Sequence, residues 1–298
     1  MTETPRIGLI GAGIMGKGLG RNMLHKGFPV AVHDSDRAAV DRLVGMGATA
    51  ANGIAGIAQG ADIVVTCLPS LAAISAVYDG PDGVIANARL GTIAVDTSTS
   101  DPKLTQALGA KAAARGVHLV DAPMLRMEPQ AWEGTLVLLV GGAKDQVERC
   151  RPMFEAVSEQ WVHCGPLGAG HTFKLLNNMV GLTAHVAYCE SFTLAKKLGL
   201  DLDLLFQVLK SGMSNSRIME TMGPRVLAND LSPMFATEVA LKDIGLFTRL
   251  AESEKCPALA GDAARQTFQL ATAMGHGGDN ITAIGAALAR LAGVAPGR

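Results

Sequence analysis

Apolar positions along the first half of the chain fall into short runs, and helical patterns separate them. RIGLIGAG (residues 6–13) reads as a buried strand entering a glycine turn, and MGKGLGRNMLHKG (15–27) as a helix closed by Gly27. FPVAVHD (28–34) is a second strand and RAAVDRLVGMG (37–47) a second helix. ADIVVTCLP (61–69), GTIAVDTST (91–99) and VHLVDAP (117–123) repeat the theme, each a buried run ending at polar residues or proline, and TLVLLVGG (135–142) adds another. Strands separated by helices of this length imply βαβ units, hence a doubly wound parallel sheet with helices on both faces. After WVHCGPLG (161–168) the strands stop, and from about His171 nearly everything reads as helix. Turn signals interrupt it at Gly199, Ser211-Gly212, Gly223-Pro224, Ser232-Pro233 and His276-Gly277-Gly278. The pattern predicts an α/β domain over residues 1–165 and an all-α C-terminal domain over 166–298, joined by a long helix after Gly170.

Composition narrows the function classes. Lys+Arg number 26 against 27 Asp+Glu, with no basic stripe for nucleic acid and no acidic tail. Aromatics are scarce at 4% and glycine is abundant at 35 residues, which suits closely packed α/β layers. The five cysteines are odd in number, widely spread and without a CxxC pair, so neither a disulfide framework nor a metal site is indicated, and reduced thiols in the cytoplasm are expected. MTETPRIGLIGAGIMG enters a strand directly, with no charged leader or cleavable apolar stretch. The most apolar helix, about Lys174 to Lys197, carries His185 and Glu190 and is not a membrane span.

Gly11-x-Gly13-x-x-Gly16 follows a strand and opens a helix. In that setting Gly11 serves the tight turn, Gly13 lets a pyrophosphate approach the backbone, and Gly16 permits close helix packing, while the helix N-terminus offers amide donors. The cofactor-facing stretch is thus Gly11, Ala12, Gly13, Ile14, Met15 and Gly16. Asp34, about 20 residues on at the end of the next strand, completes the dinucleotide fingerprint. Its carboxylate would accept the adenosine ribose hydroxyls and repel a 2′-phosphate, favouring NAD over NADP, with Arg37 nearby working against that preference. Ligands of such sheets lie beyond the carboxyl ends of the strands. Leu68 and Pro69 are accordingly expected against the cofactor and Ser98 at its nicotinamide ribose.

GPLGAGHTFKLLNNMVGL (165–182) sets Lys174 among Phe173, Leu175 and Leu176, in what reads as the first turn of an apolar helix. The residues alone leave two readings open. Lys174 is a snorkelling lysine whose stem covers apolar surface, or a lysine whose pKa is lowered by the positive helix end and its apolar neighbours until it can exchange a proton. His185, further along the same face, is expected to pack rather than react.

GAGIMG, TCLP, VDTST, DAP followed by GTL, GAGHTFKLLNN and LKDIG occur in an order and spacing that resemble the β-hydroxyacid dehydrogenases, the family of 3-hydroxyisobutyrate dehydrogenase and tartronate semialdehyde reductase. The resemblance covers essentially the whole chain. It implies a Rossmann domain, a helical second domain, an active site between them, and a homodimer or homotetramer. It also implies that Lys174 is the catalytic acid/base, that Asn178 and Asn177 help hold the substrate, and that Lys242 lines the cofactor and substrate cleft.

One stretch departs from the family. Where Ser-Gly-Gly usually follows Asp-Ala-Pro and a small residue, this chain has Leu125, Arg126 and Met127. A guanidinium grips carboxylate, sulfonate or phosphate bidentately, and arginine here resembles the 3-sulfolactaldehyde reductase branch. The expected function is an NAD-dependent interconversion of a small β-hydroxy acid, carboxylate or sulfonate, and its semialdehyde. The alternatives are imine reduction, against which Lys174 counts, and a non-catalytic NAD-binding sensor, against which Lys174, Asn178 and Lys242 together count.

Overall fold

A computed structural model of the chain describes residues 4–298. The first half builds β1 (Ile7–Ile10), α1 (Ile14–His25), β2 (Val30–His33), α2 (Arg37–Val44), β3 (Thr49–Ala50), α3 (Gly53–Gly60), β4 (Ile63–Thr66), α4 (Leu71–Asp79), α5 (Val84–Asn87), β5 (Ile93–Asp96), α6 (Pro102–Ala113) and β6 (His118–Asp121). β7 (Met124–Leu125), α7 (Glu128–Glu133), β8 (Leu136–Gly141), α8 (Lys144–Val157) and β9 (Ser158–Gly165) follow. The sheet runs β3-β2-β1-β4-β5-β6-β8-β7, with β9 beside β8. From β3 to β6 every pairing is parallel, in the Rossmann order.

Alternation decides which side chains face which layer. Ile7, Leu9, Val30, Val32, Ile63, Val65, Ile93, Val95 and Val120 enter one core with α1, α2 and α8. Ile10, Val64, Ala94 and Leu119 point the other way, into a core with α3, α4, α5 and α6. A sheet covered on both faces needs apolar residues at odd and even positions alike, which is why these strands read as continuous runs rather than alternating ones. One departure from the expected all-parallel sheet is β8, antiparallel to both β6 and β7. The chain between β6 and β8 holds only the short β7 and α7, and so it reverses direction instead of crossing over.

The long helix α9 (Ala169–Lys197) is continuous. The chain packs as two compact units that divide within it, between Lys174 and Leu175. The first turn of α9 is bonded to the sheet, which carries the N-terminal unit past the expected boundary after residue 165. The second unit adds α10 (Leu202–Ser211), α11 (Arg217–Leu227), α12 (Thr237–Ser253), α13 (Leu259–Ala271) and α14 (Ala283–Ala292). Gly223-Pro224, expected as a turn, lies inside α11 instead. Its buried face of Met219, Met222, Val226 and Leu227 keeps the helix going through the proline, and Gly223 lets Phe206 approach closely. No helix among the described residues is long and apolar enough to cross a membrane.

Candidate active site

The parallel registers align Ile10 with His33, Ile10 with Thr66, Thr66 with Asp96, and Asp96 with Asp121. All five strands therefore end at one level, and the loops beyond them share one edge.

The three glycines of the first loop are there for three different reasons. Gly11 has φ +95°, and a Cβ on it would collide with the Cys67 carbonyl oxygen. A Cβ on Gly16 would collide with the Gly11 carbonyl oxygen, so this glycine lets α1 close against the loop. Gly13 has no such neighbour. It is exposed, and a Cβ there would meet nothing within 4 Å. Two glycines shape the protein, and the third leaves open space in front of the first amides of α1. Packing beneath the loop pushes the Cys67 thiol up to about 11, so its backbone matters here rather than a thiolate.

Asp34 ties this loop to β2. Its Oδ2 accepts from Ala12 N at 2.6 Å and its Oδ1 from Asp36 N at 2.8 Å. A carboxylate oxygen has a second lone pair, so both can still accept ribose hydroxyls. Arg37 pairs with Asp41 at 2.9 Å. Loop, helix N-terminus and carboxylate fit a dinucleotide, whose pyrophosphate Gly11 to Gly16 would hold and whose adenosine ribose Asp34 would accept from.

The loops after β4 and β5 are bonded together. Ser98 Oγ accepts from Leu68 N at 2.9 Å, and Ser98 N donates to Asp96 Oδ1 at 3.0 Å. Thr66 Oγ1 donates to the same Asp96 oxygen at 2.9 Å and lies 3.0 Å from Tyr78 OH. Leu68 is half-buried, Pro69 exposed and Ser98 buried. The Ser98 hydroxyl already accepts an amide and keeps its own proton to donate.

Lys174 lies in the second turn of α9, not the first, because the helix begins at Ala169. The macrodipole fades within a turn, so the helix end acts on Lys174 less than its sequence position implied. Its Nζ donates to the Met124 carbonyl at 2.7 Å, and the side chain is half-buried. Met124 stands just past the end of β6, so the ammonium is held at the same sheet edge as Ser98.

The stretch after β6 that departs from the family contains an element not foreseen, the short α7, which begins directly after Met127. Met127 N donates to Gln130 Oε1 at 3.3 Å, with a proline at the helix start. Asn22 of α1 anchors α7 by donating to the Ala131 carbonyl at 2.8 Å. The sequence leaves Arg126 either to grip the substrate anion or to face solvent or pair with Glu128 or Glu133. Arg126 adopts φ +79°, the left-handed region glycine favours, and its guanidinium pairs with Glu159 and donates to the Thr135 carbonyl at 2.5 Å. The Glu159 carboxylate beside it raises the guanidinium pKa further. An anion bound there would share the guanidinium with Glu159. Leu125 and Met127 are half-buried on either side.

In the second unit, Asn178 Nδ2 donates to Asp243 Oδ2 at 2.8 Å, and Lys242 Nζ lies 3.1 Å from Asp243 Oδ1. Asp243 is 2% exposed, so one buried carboxylate orients both residues. Asp243 follows Lys242 directly in LKDIG, and that adjacency was the only available sign of its role. Asn177 is exposed and bonds to Asn178 Oδ1 at 3.2 Å. His185 is buried and 2.9 Å from the Ile281 carbonyl, a packing role.

The glycine loop, Asp34 and the strand-end polar groups define a dinucleotide-binding protein of the Rossmann class. Residues 6–165 match the family described as the NAD binding domain of 6-phosphogluconate dehydrogenase, and residues 168–288 that described as NAD-binding of NADP-dependent 3-hydroxyisobutyrate dehydrogenase. The 3-sulfolactaldehyde reductase of Escherichia coli K12 is 33% identical over 279 residues, covering 93% of this chain and 94% of that protein. The 2-(hydroxymethyl)glutarate dehydrogenase of Eubacterium barkeri is 30% identical over 285 residues, 95% of each chain. A solved structure of Mycobacterium tuberculosis 3-hydroxyisobutyrate dehydrogenase with L-serine superposes with a TM-score of 0.88 at 29% identity, over 96% of this chain and 99% of that one. The chain belongs to the β-hydroxyacid dehydrogenase family and is an NAD(P)-dependent oxidoreductase acting on CH–OH groups.

Proposed function

We propose that the protein interconverts a small anionic β-hydroxy acid and its semialdehyde, with Lys174 as the group that exchanges the hydroxyl proton. The observation that carries this reading is the hydrogen bond from Lys174 Nζ to the Met124 carbonyl, 2.7 Å, which holds an amine at the sheet edge where such folds place their ligands. The bound dinucleotide supplies the hydride acceptor for oxidation and the donor for reduction. Neutral Lys174 takes the hydroxyl proton as the alcohol carbon is oxidised, and its ammonium returns a proton to the carbonyl oxygen in reduction. Holding the substrate oxygen beside Nζ is itself a large part of the rate. Asn178 and Lys242, oriented by Asp243, are the substrate-facing groups we assign in the second unit, with Asn177 and the Leu125-Arg126-Met127 loop as further contacts. The relatives named as acting on 3-sulfolactaldehyde, 3-hydroxyisobutyrate and 2-(hydroxymethyl)glutarate support a β-hydroxy acid substrate.

We further assign NAD as the preferred cofactor. Asp34 offers acceptors to ribose hydroxyls and negative charge against a 2′-phosphate, and Arg37 is paired with Asp41. Self-association as a dimer or tetramer is supported by exposed Val180 and Leu194 on α9, Leu198 just after it, and Leu204 and Val208 on α10. Light scattering of the purified chain tests it, and a monomer at micromolar concentration would reject it. Five free thiols support a reducing, cytoplasmic setting.

The test of the reaction is NAD reduction with 3-hydroxyisobutyrate and with 2,3-dihydroxypropane-1-sulfonate, the alcohol that corresponds to 3-sulfolactaldehyde, for the parent and Lys174→Ala. General acid–base groups contribute about 10²–10⁴-fold, so the variant loses turnover on that scale while its dinucleotide Kd stays within about twofold. A Lys174→Ala protein that turns over like the parent would overturn the assignment.

A further inference from the structure

The start of α9 is locked to the sheet by two buried side chains. Asp121, the last residue of β6, is 0% exposed. Its Oδ1 accepts from Gly168 N and its Oδ2 from His171 N, both at 2.7 Å. One carboxylate thus satisfies two amides that the helix start leaves without intrahelical partners. Neighbouring residues are small to make room for it. A Cβ on Gly141 would collide with Asp121 Oδ1, and one on Gly170 would lie 2.8 Å from Oδ2 and collide with the Leu139 carbonyl.

His171, also 0% exposed, makes the second tie. Its Nε2 lies 3.1 Å from the Ser98 carbonyl and its Nδ1 2.8 Å from Thr105 Oγ1. A carbonyl oxygen can only accept, so Nε2 carries a proton. Asp96 and Asp121 flank the ring at 3.9 and 3.7 Å. The ring therefore joins the β5 loop, which bears Ser98, to the first turn of the lysine helix.

Two equal spacings follow. Lys174 stands three residues past His171, one helical turn along, and its acceptor Met124 stands three residues past Asp121. The donor and the acceptor of the Lys174–Met124 bond are each held by a member of the same buried pair. We propose that His171 is a positioning residue which, with Asp121, fixes the Lys174 amine against the Met124 carbonyl and in register with the Ser98 loop. The inference rests on the proposed role of Lys174. It adds that the precision of this role is built into a buried ring that touches neither substrate nor cofactor.

The test uses His171→Leu, which keeps most of the volume and deletes both ring contacts, and His171→Gln, whose carboxamide can donate to Ser98 and accept from Thr105. Two readouts are taken on the full-length protein: kcat and KM with the acids above, and the acetylation rate of Lys174 by acetic anhydride relative to Lys103, read by mass spectrometry. In His171→Leu, kcat falls about tenfold or more, since small misplacements near the chemistry are that costly. KM for NAD rises less than kcat falls, because the ring reaches the cofactor only through the Ser98 loop. Lys174 acetylation rises about threefold or more, the factor that weakening one ordinary hydrogen bond allows. His171→Gln restores most of both. Thr105→Val, which deletes only the hydroxyl facing Nδ1, gives the same pattern at lower amplitude and serves where His171→Leu does not fold. Unchanged kcat and unchanged Lys174 labelling in a folded variant would overturn the proposal, as would a rise in KM for NAD with kcat preserved. A dead Lys174→Ala beside a parent-like His171→Leu rejects the positioning role alone. An active Lys174→Ala rejects the lysine mechanism, and the labelling then still decides whether His171 holds the amine.

Discussion

Gly13→Ala should leave the folded chain intact and take away its dinucleotide. The backbone at Gly13 has φ −63° and ψ −160°, open to any L-residue, and a Cβ would meet no protein atom within 4 Å. Replacing glycine where the conformation already fits stabilises by about 0.4–1 kcal/mol, through the unfolded chain. For a chain of this size the melting temperature is then unchanged or raised by about 1–4 °C. The methyl group instead fills the space by which a pyrophosphate reaches the first amides of α1. With NAD a hundredfold above its Kd, binding stabilises the parent by about 2.7 kcal/mol, and a hundredfold loss of affinity leaves about 0.4 kcal/mol. The assay is a pair of melting curves, without and with NAD, for parent and variant. Gly16→Ala is the opposite control. Its Cβ would collide with the Gly11 carbonyl, a backbone atom that cannot swing aside. Overpacking of this kind costs about 1–3 kcal/mol, so that variant melts lower before any NAD is added. The reasoning is refuted if Gly13→Ala melts well below the parent, or if NAD raises its melting temperature as much as it raises the parent's.

Asp34→Ala removes the acceptor of Ala12 N and Asp36 N together with the charge we assign to the ribose. The ratio of kcat/KM for NADP over NAD should then rise about tenfold or more, on the scale of one charge-assisted contact; an unchanged ratio would show that Asp34 does not set the preference. Burial lowers the His185 pKa from 6.5 to about 4, so its unfolded form takes up a proton that its folded form refuses. Stability from this group is whole above pH 6.5 and falls as pH drops toward 4, by roughly 3 kcal/mol in all. His185→Gln, which can still donate to Ile281, should flatten that fall, and equal losses in urea midpoint between pH 7 and pH 5 for parent and variant would rule it out. Arg126→Gly relieves a left-handed φ of +79°, worth about 1 kcal/mol or more. It gives up the exposed ion pair with Glu159, about 1 kcal/mol at most, and the bond to the Thr135 carbonyl, about 1 kcal/mol more, so the melting temperature should move by no more than about 4 °C, and a larger drop would contradict the account.

Legibility followed the distance over which each signal acts. Strands such as Ile63–Thr66 and Ile93–Asp96 show themselves in four consecutive apolar-rich residues, and Gly11 to Gly16 with Asp34 form a pattern complete within one βαβ unit. What stayed hidden was set by partners remote in sequence. Asp121 reads as one more polar strand terminator, because the amides it binds lie 47 and 50 residues further on. The pairing of Arg126 with Glu159, 33 residues away, likewise has no local sign. Gly223-Pro224 carries a strong local turn signal, and only the buried face of α11 outweighs it. The turn in which Lys174 sits depended on the helix start at Ala169, where Asp121 accepts from Gly168 N and His171 N.

Three aspartates at the carboxyl edge share a single logic. Asp34 accepts from Ala12 N and Asp36 N, Asp96 from Ser98 N and Thr66 Oγ1, and Asp121 from Gly168 N and His171 N. A parallel sheet that stops abruptly leaves the next loop's amides pointing into the region a ligand needs, with no strand to accept them. A carboxylate can take two such amides at once, each bond worth about 1.5–3 kcal/mol because the acceptor is charged. It thereby fixes a loop without adding bulk on the ligand's side. The cost is burial of charge, greatest at Asp96 and Asp121, which are 2% and 0% exposed. Between those two carboxylates lies His171, at 3.9 and 3.7 Å, the residue that links the lysine helix to the Ser98 loop. Chemical precision at this edge therefore depends less on the groups that meet the ligand than on acceptors placed one layer beneath them.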